Sequence, residues 1–187
     1  MAKRPGKLIV ISAPSGCGKT TIVERLLGRN QNFVRSISYT TRQPRAGETN
    51  GRDYFFISEA EFLAKQKERF FLESARVFSH WYGTSKEFVL GYLSRGKNVI
   101  LAIDVQGMKQ LCAALGKEIP TVSIFIMPPS LDILRERLKQ RKTETSPQIG
   151  ERLKIAQGEM EARSMYDFVV VNRKIDQAVK EIEEIVQ

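Results

Sequence analysis

The run Ala13-Pro14-Ser15-Gly16-Cys17-Gly18-Lys19-Thr20 links a short apolar segment to the start of an amphipathic one. It follows the template GxxxxGK(S/T) in a strand–loop–helix setting, with one departure: Ala13 stands where the template has glycine, and its methyl group must fit there. Such a loop suits anions. Small residues let backbone N–H groups curl around a β-phosphate, and the N-terminus of the following helix adds favourable partial charge. Lys19 is placed to reach β- and γ-phosphate oxygens and Thr20 to ligate the Mg2+ that accompanies a nucleotide, while Gly16 and Gly18 supply freedom to turn. Thr21 closes the nucleotide-binding run. The expected partner of such a loop is an acid ending a second buried strand, and Val99-Ile100-Leu101-Ala102-Ile103-Asp104 provides it. The Asp104 carboxylate can orient the metal directly or through water. Taken alone, it reads equally as an Asp that ends a strand and caps a helix.

A second constellation lies between Ser36 and Thr84. Arg42 and Arg45 stand beside the hydroxyls of Ser38, Tyr39, Thr40 and Thr41, and Tyr54 and Tyr82 follow, each near a glycine. Guanidinium forks match phosphate oxygens, and tyrosine hydroxyls add neutral donors to the same group. Glu73 sits in the apolar run Phe70-Phe71-Leu72-Glu73, where an acid can accept two parallel hydrogen bonds from a guanine edge. Individually, the tyrosines also read as core-edge aromatics and Glu73 as an exposed strand residue. His80, the single histidine, is assigned no chemistry, because transfer to an ionised phosphate needs no general base.

The elements that must position these residues alternate. Lys7 to Ser12, Lys97 to Ile103, Thr121 to Met127 and Phe168 to Val171 read as short buried strands. Helical patterns fall between them: Thr20 to Leu27 ending near Gly28, Ser85 to Arg95, Val105 to Leu115, Ser130 to Arg141 and Asp176 to Val186. This order predicts a parallel sheet covered on both faces. Two polar segments interrupt it. Arg42 to Asp53 leads into aromatic strand-like pieces up to Gly83, with Ser58 and Glu61 set to form a capping box. Lys142 to Gln148 precedes a helix that Ser146 is expected to cap and Pro147 to open, with Ile149, Leu153, Ala156 and Met160 on one face.

The chain has 187 residues, 42% of them hydrophobic, enough for one compact α/β domain with its own core. Cys17 and Cys112 form no disulfide framework and read as free thiols in a reducing compartment. No apolar run approaches the ~20 residues needed to cross a bilayer, so neither membrane nor signal is expected, and the cytoplasm is the expected location. The net charge of +9 invites nucleic acid, yet the cations are spread along the chain rather than gathered in a stripe. Phosphate chemistry accounts for their clusters, and no nucleic-acid partner is expected.

The runs SYTTRQPRAGETNGRDYFF, FLE, WYGT, LAIDVQG, PPS and ERLKQRKTET, with a later ERL, resemble guanylate kinase over nearly the whole chain. The resemblance implies an α/β P-loop three-layer fold with a parallel core sheet, a GMP-binding insert and a helical lid. Residues 1–37, 89–130 and 156–187 would form the core, 38–88 the insert and 131–155 the lid. It assigns Arg42, Arg45, Tyr54 and Tyr82 to the GMP phosphate. Ser38, Glu73 and Thr84 would read the base, with Asp104 close by. Lys19 and Thr20 would serve ATP and Mg2+, Arg141 and Arg152 would close on the transferring group, Arg137 would lie near the adenine and phosphates of ATP, and Asn172 would line the adenine pocket. Many relatives carry an acid two residues before Asp104, where this chain has Ala102.

The implied reaction is direct in-line transfer from ATP to GMP, with no phosphoenzyme. Two polyanions must be brought together, which asks for Lys19, Arg42, Arg45, Arg137, Arg141, Arg152 and Mg2+. Two rivals carry different chemistry. One is an inactive guanylate-kinase-like module binding phosphorylated peptides, the other a related small-molecule kinase acting on a sugar phosphate. The intact loop argues against the first, and the set Ser38, Glu73 and Thr84 against the second. The sequence leaves use of dGMP, and monomer against dimer, open.

Overall fold

The computed structural model describes residues 5–77, 79–114, 119–140 and 145–187. Along the chain come β1 (Leu8–Ser12), α1 (Lys19–Arg29), β2 (Phe33–Arg35), β3 (Tyr39–Thr40), β4 (Phe55–Phe56), α2 (Glu59–Lys67), β5 (Phe71–Val77), β6 (His80–Ser85), α3 (Lys86–Ser94), β7 (Asn98–Ala102), α4 (Val105–Ala114), β8 (Thr121–Met127), α5 (Leu131–Gln140), α6 (Ser146–Glu161), a 3-10 turn (Ala162–Met165), β9 (Phe168–Val171) and α7 (Ile175–Val186). One sheet has the order β2-β7-β1-β8-β9 and another the order β4-β3-β6-β5. In the first, β2 runs parallel to β7 and β8 parallel to β9. Every residue of β1 is buried, which is why this strand is apolar throughout rather than alternating.

The chain divides into two compact units: Met1–Leu8, Asn32–Leu101 and Gln106–Pro120 in the first, Ile9–Gln31, Ala102–Val105 and Thr121–Gln187 in the second. In the first unit, β5 and β6 form an antiparallel hairpin, β3 lies antiparallel to β6, and β4 lies parallel to β3. Aromatic packing holds that sheet to α2: Phe62, wholly buried, stacks on Phe71 at 4.4 Å and on Trp81 at 5.8 Å between centroids. Gly83 makes this closeness feasible, since a Cβ there would lie 2.8 Å from the Phe71 ring and 3.0 Å from that of Phe62. The expected capping box starts α2, with Ser58 and Glu61 exchanging hydrogen bonds at 2.8 and 3.2 Å.

In the second unit, α7 buries Ala178, Val179, Ile182 and Val186, a helical stripe. On its other flank, Arg25 and Arg29 of α1 pair with Asp176 and Glu183. Asp167 accepts from both the backbone and the hydroxyl of Ser123, at 2.8 and 2.7 Å, fixing the chain just before β9.

Two helix ends depart from the sequence expectation, and two short strands add to it. Helix α1 passes through Gly28 and stops at Asn30, whose extended backbone donates to Leu26 O at 3.1 Å. A Cβ at Gly28 would meet nothing within 4 Å, and a helical glycine costs only about 1 kcal/mol, so it need not end the helix. The cap of α6 is Thr145, one residue earlier than Ser146, because Gln148 Oε1 accepts from Thr145 N and Oγ1 at 2.8 and 3.0 Å. The short strands β2 and β3 were not anticipated, being too brief to show a period. Leu115 and Arg141, the expected ends of α4 and α5, lie outside the described residues. Among the described residues no helix is long and apolar enough to cross a membrane.

Candidate functional site

The glycine-rich loop leaves β1 and enters α1 through Gly18, which caps the helix in the left-handed region at φ 84°. Gly16 has φ 94°. Both positions need glycine on conformational grounds. Crowding adds to this at Gly18, where a Cβ would lie 2.8 Å from Asn172 Nδ2 and 3.2 Å from Ile175 Cδ1. Ala13, by contrast, is buried at 7% exposure and has no left-handed φ, so a methyl group is accommodated where the template has none. The first turn of α1 carries no acidic residue and no side chain caps it, so the positive end of the helix suits an anion. Lys19 Nζ donates to Ile103 O at 2.9 Å, just ahead of Asp104. Thr20 is exposed on the first turn of α1. Its hydroxyl and the Asp104 carboxylate are hard oxygen donors of the kind Mg2+ takes, so the residues present fit that ion.

Other predicted donor-side residues converge on the same loop. Arg152 Nη1 of α6 donates to Ser15 Oγ at 2.8 Å. Asn172 is 1% exposed and its Nδ2 donates to Cys17 O at 2.8 Å. Arg137 Nη2 in turn donates to Asn172 O at 3.0 Å. Asn172 therefore shapes the loop from behind, and Arg137 holds Asn172. Arg141 lies outside the described residues. Cys17 is fully buried in this loop.

The acceptor-side residues gather in the first unit. Arg42 grips both Glu48 oxygens from Nη2, at 2.8 and 2.9 Å, and donates from Nη1 to Gln43 O at 2.7 Å. Its guanidinium lies 5.4 Å from the Tyr54 ring centroid and 5.8 Å from that of Phe56. Tyr54 and Tyr82 meet edge to face at 5.9 Å. Burial pulls the Arg42 basicity down, but hydrogen bonds to Glu48 and Tyr82 outweigh it and raise its pKa. Burial, reinforced by Tyr82, raises that of Tyr54, so its hydroxyl stays a proton donor. For Glu48, burial pushes upward, yet the Arg42 hydrogen bonds and the Arg45 N–H prevail and hold the carboxyl below its ordinary value. Arg45 itself is exposed and enters through its backbone N–H, 2.8 Å from Glu48 Oε2.

Glu73 and Thr84 face each other across the β5–β6 hairpin. Glu73 is 5% exposed and Thr84 wholly buried, and Thr84 Oγ1 donates to Glu73 Oε1 at 2.6 Å. The open alternative of an exposed strand glutamate is thereby removed. Ser38 is held through its backbone, its carbonyl accepting from Phe55 N at 2.9 Å, and among the described residues no hydrogen bond brings its hydroxyl onto the Glu73–Thr84 pair.

Three participants escaped sequence reasoning. Glu48 looked like one more polar loop residue, and only the fold sets it against Arg42. Arg35 donates to Asp53 O at 3.4 Å and acts electrostatically on Tyr54; its place on the three-residue strand β2 gave no signal. Glu159 of α6 is a half-buried acid that interacts with Lys19 and Asp104. Its spacing of seven from Arg152 was the available clue.

The family model described as Guanylate kinase matches residues 5–187. A guanylate kinase from Wolbachia sp. subsp. Brugia malayi is 48% identical over 180 residues, covering 96% of this chain and 91% of that protein. One from Caldanaerobacter subterraneus subsp. tengcongensis is 48% identical over 184 residues, covering 98% and 88%. Among solved structures, the guanylate kinase of Anaplasma phagocytophilum superposes with a TM-score of 0.82 at 35% identity, covering all of this chain and 87% of that one. With a P-loop, an arginine–tyrosine cluster and a buried glutamate–threonine pair already in place, these likenesses establish that the chain belongs to the guanylate kinase family.

Proposed function

We infer that the chain transfers the γ-phosphoryl group of ATP to GMP, giving ADP and GDP, by direct in-line displacement. The observation that carries the choice of acceptor is the buried Glu73, held by Thr84 at 2.6 Å in the unit that also contains Arg42, Tyr54 and Tyr82. A carboxylate there accepts from guanine N1–H and the exocyclic amine, whereas adenine offers no donor at N1. Sites built on such hydrogen bonds reject the wrong partner by about 10⁴ or more. Ser38 and Thr84 complete the base contacts, and Arg42, Arg45, Tyr54 and Tyr82 receive the phosphate.

On the donor side the loop from Ala13 to Thr21 cradles the triphosphate. Lys19, Arg137, Arg141 and Arg152 stabilise charge on the transferring group, and Asn172 keeps the loop in shape. Mg2+, bound with ATP, would be held by Thr20 and, through water, by Asp104, and supplies neutralising charge at the β- and γ-phosphates. We take 38–88 as the acceptor insert and 131–155 as the lid whose closure keeps water from the γ-phosphate. The deciding experiment offers GMP, dGMP, AMP, CMP and UMP, each with Mg-ATP, in a coupled ADP-release assay. GMP is expected to be turned over well above AMP, CMP and UMP; failure to phosphorylate GMP would refute the assignment.

A further inference from the structure

Just ahead of Arg42 stand two hydroxyls, those of Thr40 and Thr41, that the transfer chemistry above leaves without a role. Strand β3 lies antiparallel to β6, with Tyr39 opposite Gly83 and Thr40 opposite Tyr82. There β3 ends, and the chain turns off toward Arg42. Side chains take over from the ladder. Thr40 Oγ1 donates to Trp81 O at 2.9 Å and accepts from Arg42 N at 3.2 Å. Thr41 N donates to the same carbonyl at 3.1 Å, and Thr41 Oγ1 accepts from Trp81 N at 2.9 Å. The carbonyl of Thr40 meanwhile accepts from Ile57 N at 3.0 Å, just past β4. Thr40 is wholly buried, so water does not compete for its hydroxyl.

We propose that Thr40 is a positioning residue for the acceptor phosphate, its hydroxyl joining the backbone of Arg42 to the residue before Tyr82 and so setting the spacing of those two donors. Glu48 aims the far end of Arg42, the guanidinium, whereas Thr40 fixes the near end, where the side chain leaves the backbone. A small rotation at the near end is magnified along so long a side chain. Phosphate tolerates little of it, because hydrogen bonds weaken steeply as donor and acceptor tilt apart. The hydroxyl serves both ends of the joint, giving its proton to the Trp81 carbonyl and a lone pair to the Arg42 N–H. Serine keeps both capabilities, and valine, of nearly the same shape as threonine, keeps neither. Tyr54 meets Tyr82 edge to face at 5.9 Å and lies 5.4 Å from the Arg42 guanidinium, so the joint governs the whole cluster. Base recognition stands on a different strand pair, where Glu73 faces Thr84 across β5 and β6.

This role rests on the proposed binding of the GMP phosphate by Arg42, Tyr54 and Tyr82, and two ligands keep the questions apart. Dissociation constants for GMP, and for guanosine, which lacks the phosphate, are measured by calorimetry on the full chain as wild type, Thr40→Val and Thr40→Ser. Thr40→Val is expected to weaken GMP about tenfold or more and guanosine by less than about twofold, with Thr40→Ser close to wild type. The KM for ATP should not move. A merely structural part for Thr40 would lower the melting temperature and leave the ratio of GMP to guanosine affinity as it was. That result, or GMP binding within about twofold of wild type, overturns the role. Thr41→Val, at a half-buried position, loosens the same joint by taking the acceptor from Trp81 N, and it carries the test should Thr40→Val fail to fold. It is expected to weaken GMP about threefold or more with guanosine unchanged, and an unaltered affinity ratio there overturns the proposal as well. A wild type that binds GMP no more tightly than guanosine faults the phosphate cluster itself, and the role of Thr40 falls with it.

Discussion

Glu73→Gln preserves shape and changes one atom's chemistry. Thr84 Oγ1 donates to Glu73 Oε1 at 2.6 Å, so the amide oxygen of glutamine takes over that proton. The amide NH2 then stands where the second carboxylate oxygen stood, a donor facing guanine donors. Two hydrogen bonds to a charged acceptor, each contributing about 1.5–3 kcal/mol, are lost or weakened. A buried amide is cheaper to desolvate than a carboxylate, which returns part of this. The net is about 4 kcal/mol, or roughly a 10³-fold fall in kcat/KM for GMP. The ATP side, in the other unit, is expected to be unaffected, and thermal stability to hold or rise because a buried charge has gone. Steady-state kinetics with each nucleotide varied in turn separates these effects. A fall below tenfold for GMP, or an equal loss of ATP affinity, would remove Glu73 from base recognition.

Glu48→Gln is expected to raise the KM for GMP about tenfold, since the fork of Arg42 loses the two-oxygen grip that aims it. Because the folded pKa of Glu48 is lowered, its stabilising contribution is present above the ordinary carboxylate range and lost as pH falls. Urea melts should therefore show the wild-type advantage over Glu48→Gln at pH 7 and its disappearance in acid. Glu159 has the opposite sign: its folded pKa of about 7 exceeds the ordinary 4.5, so wild type loses stability as pH climbs between these values and then levels off. Glu159→Gln should match wild type near the lower value and exceed it at pH 8 by about 1–2 kcal/mol, allowing for partial exposure. Equal melting curves at both pH values would contradict the burial of that carboxyl. Gly18→Ala places a Cβ 2.8 Å from Asn172 Nδ2 at a φ of 84°, so it should disrupt the Asn172–Cys17 bond. The expected result is a loss of about 1–3 kcal/mol of stability and a large loss of ATP affinity by calorimetry, and unchanged binding would show that the loop tolerates the displacement.

The sequence by itself determined the phosphate loop, the alternation of strands and helices, the capping box at Ser58 and the family, because each of these is written in neighbouring residues. Loop, cap and buried strand are local: a glycine that needs a positive φ, or a run apolar on both faces, declares itself within a few positions. The arginines and tyrosines of the acceptor cluster were nameable from their types. Their partners were not. Glu48 against Arg42, Thr84 against Glu73 and Asn172 behind Cys17 pair residues separated by as many as 155 positions. Only the tertiary structure decided these, because the protonation and aim of a polar group depend on what the fold packs beside it, and burial belongs to the packed chain rather than to any one segment of it.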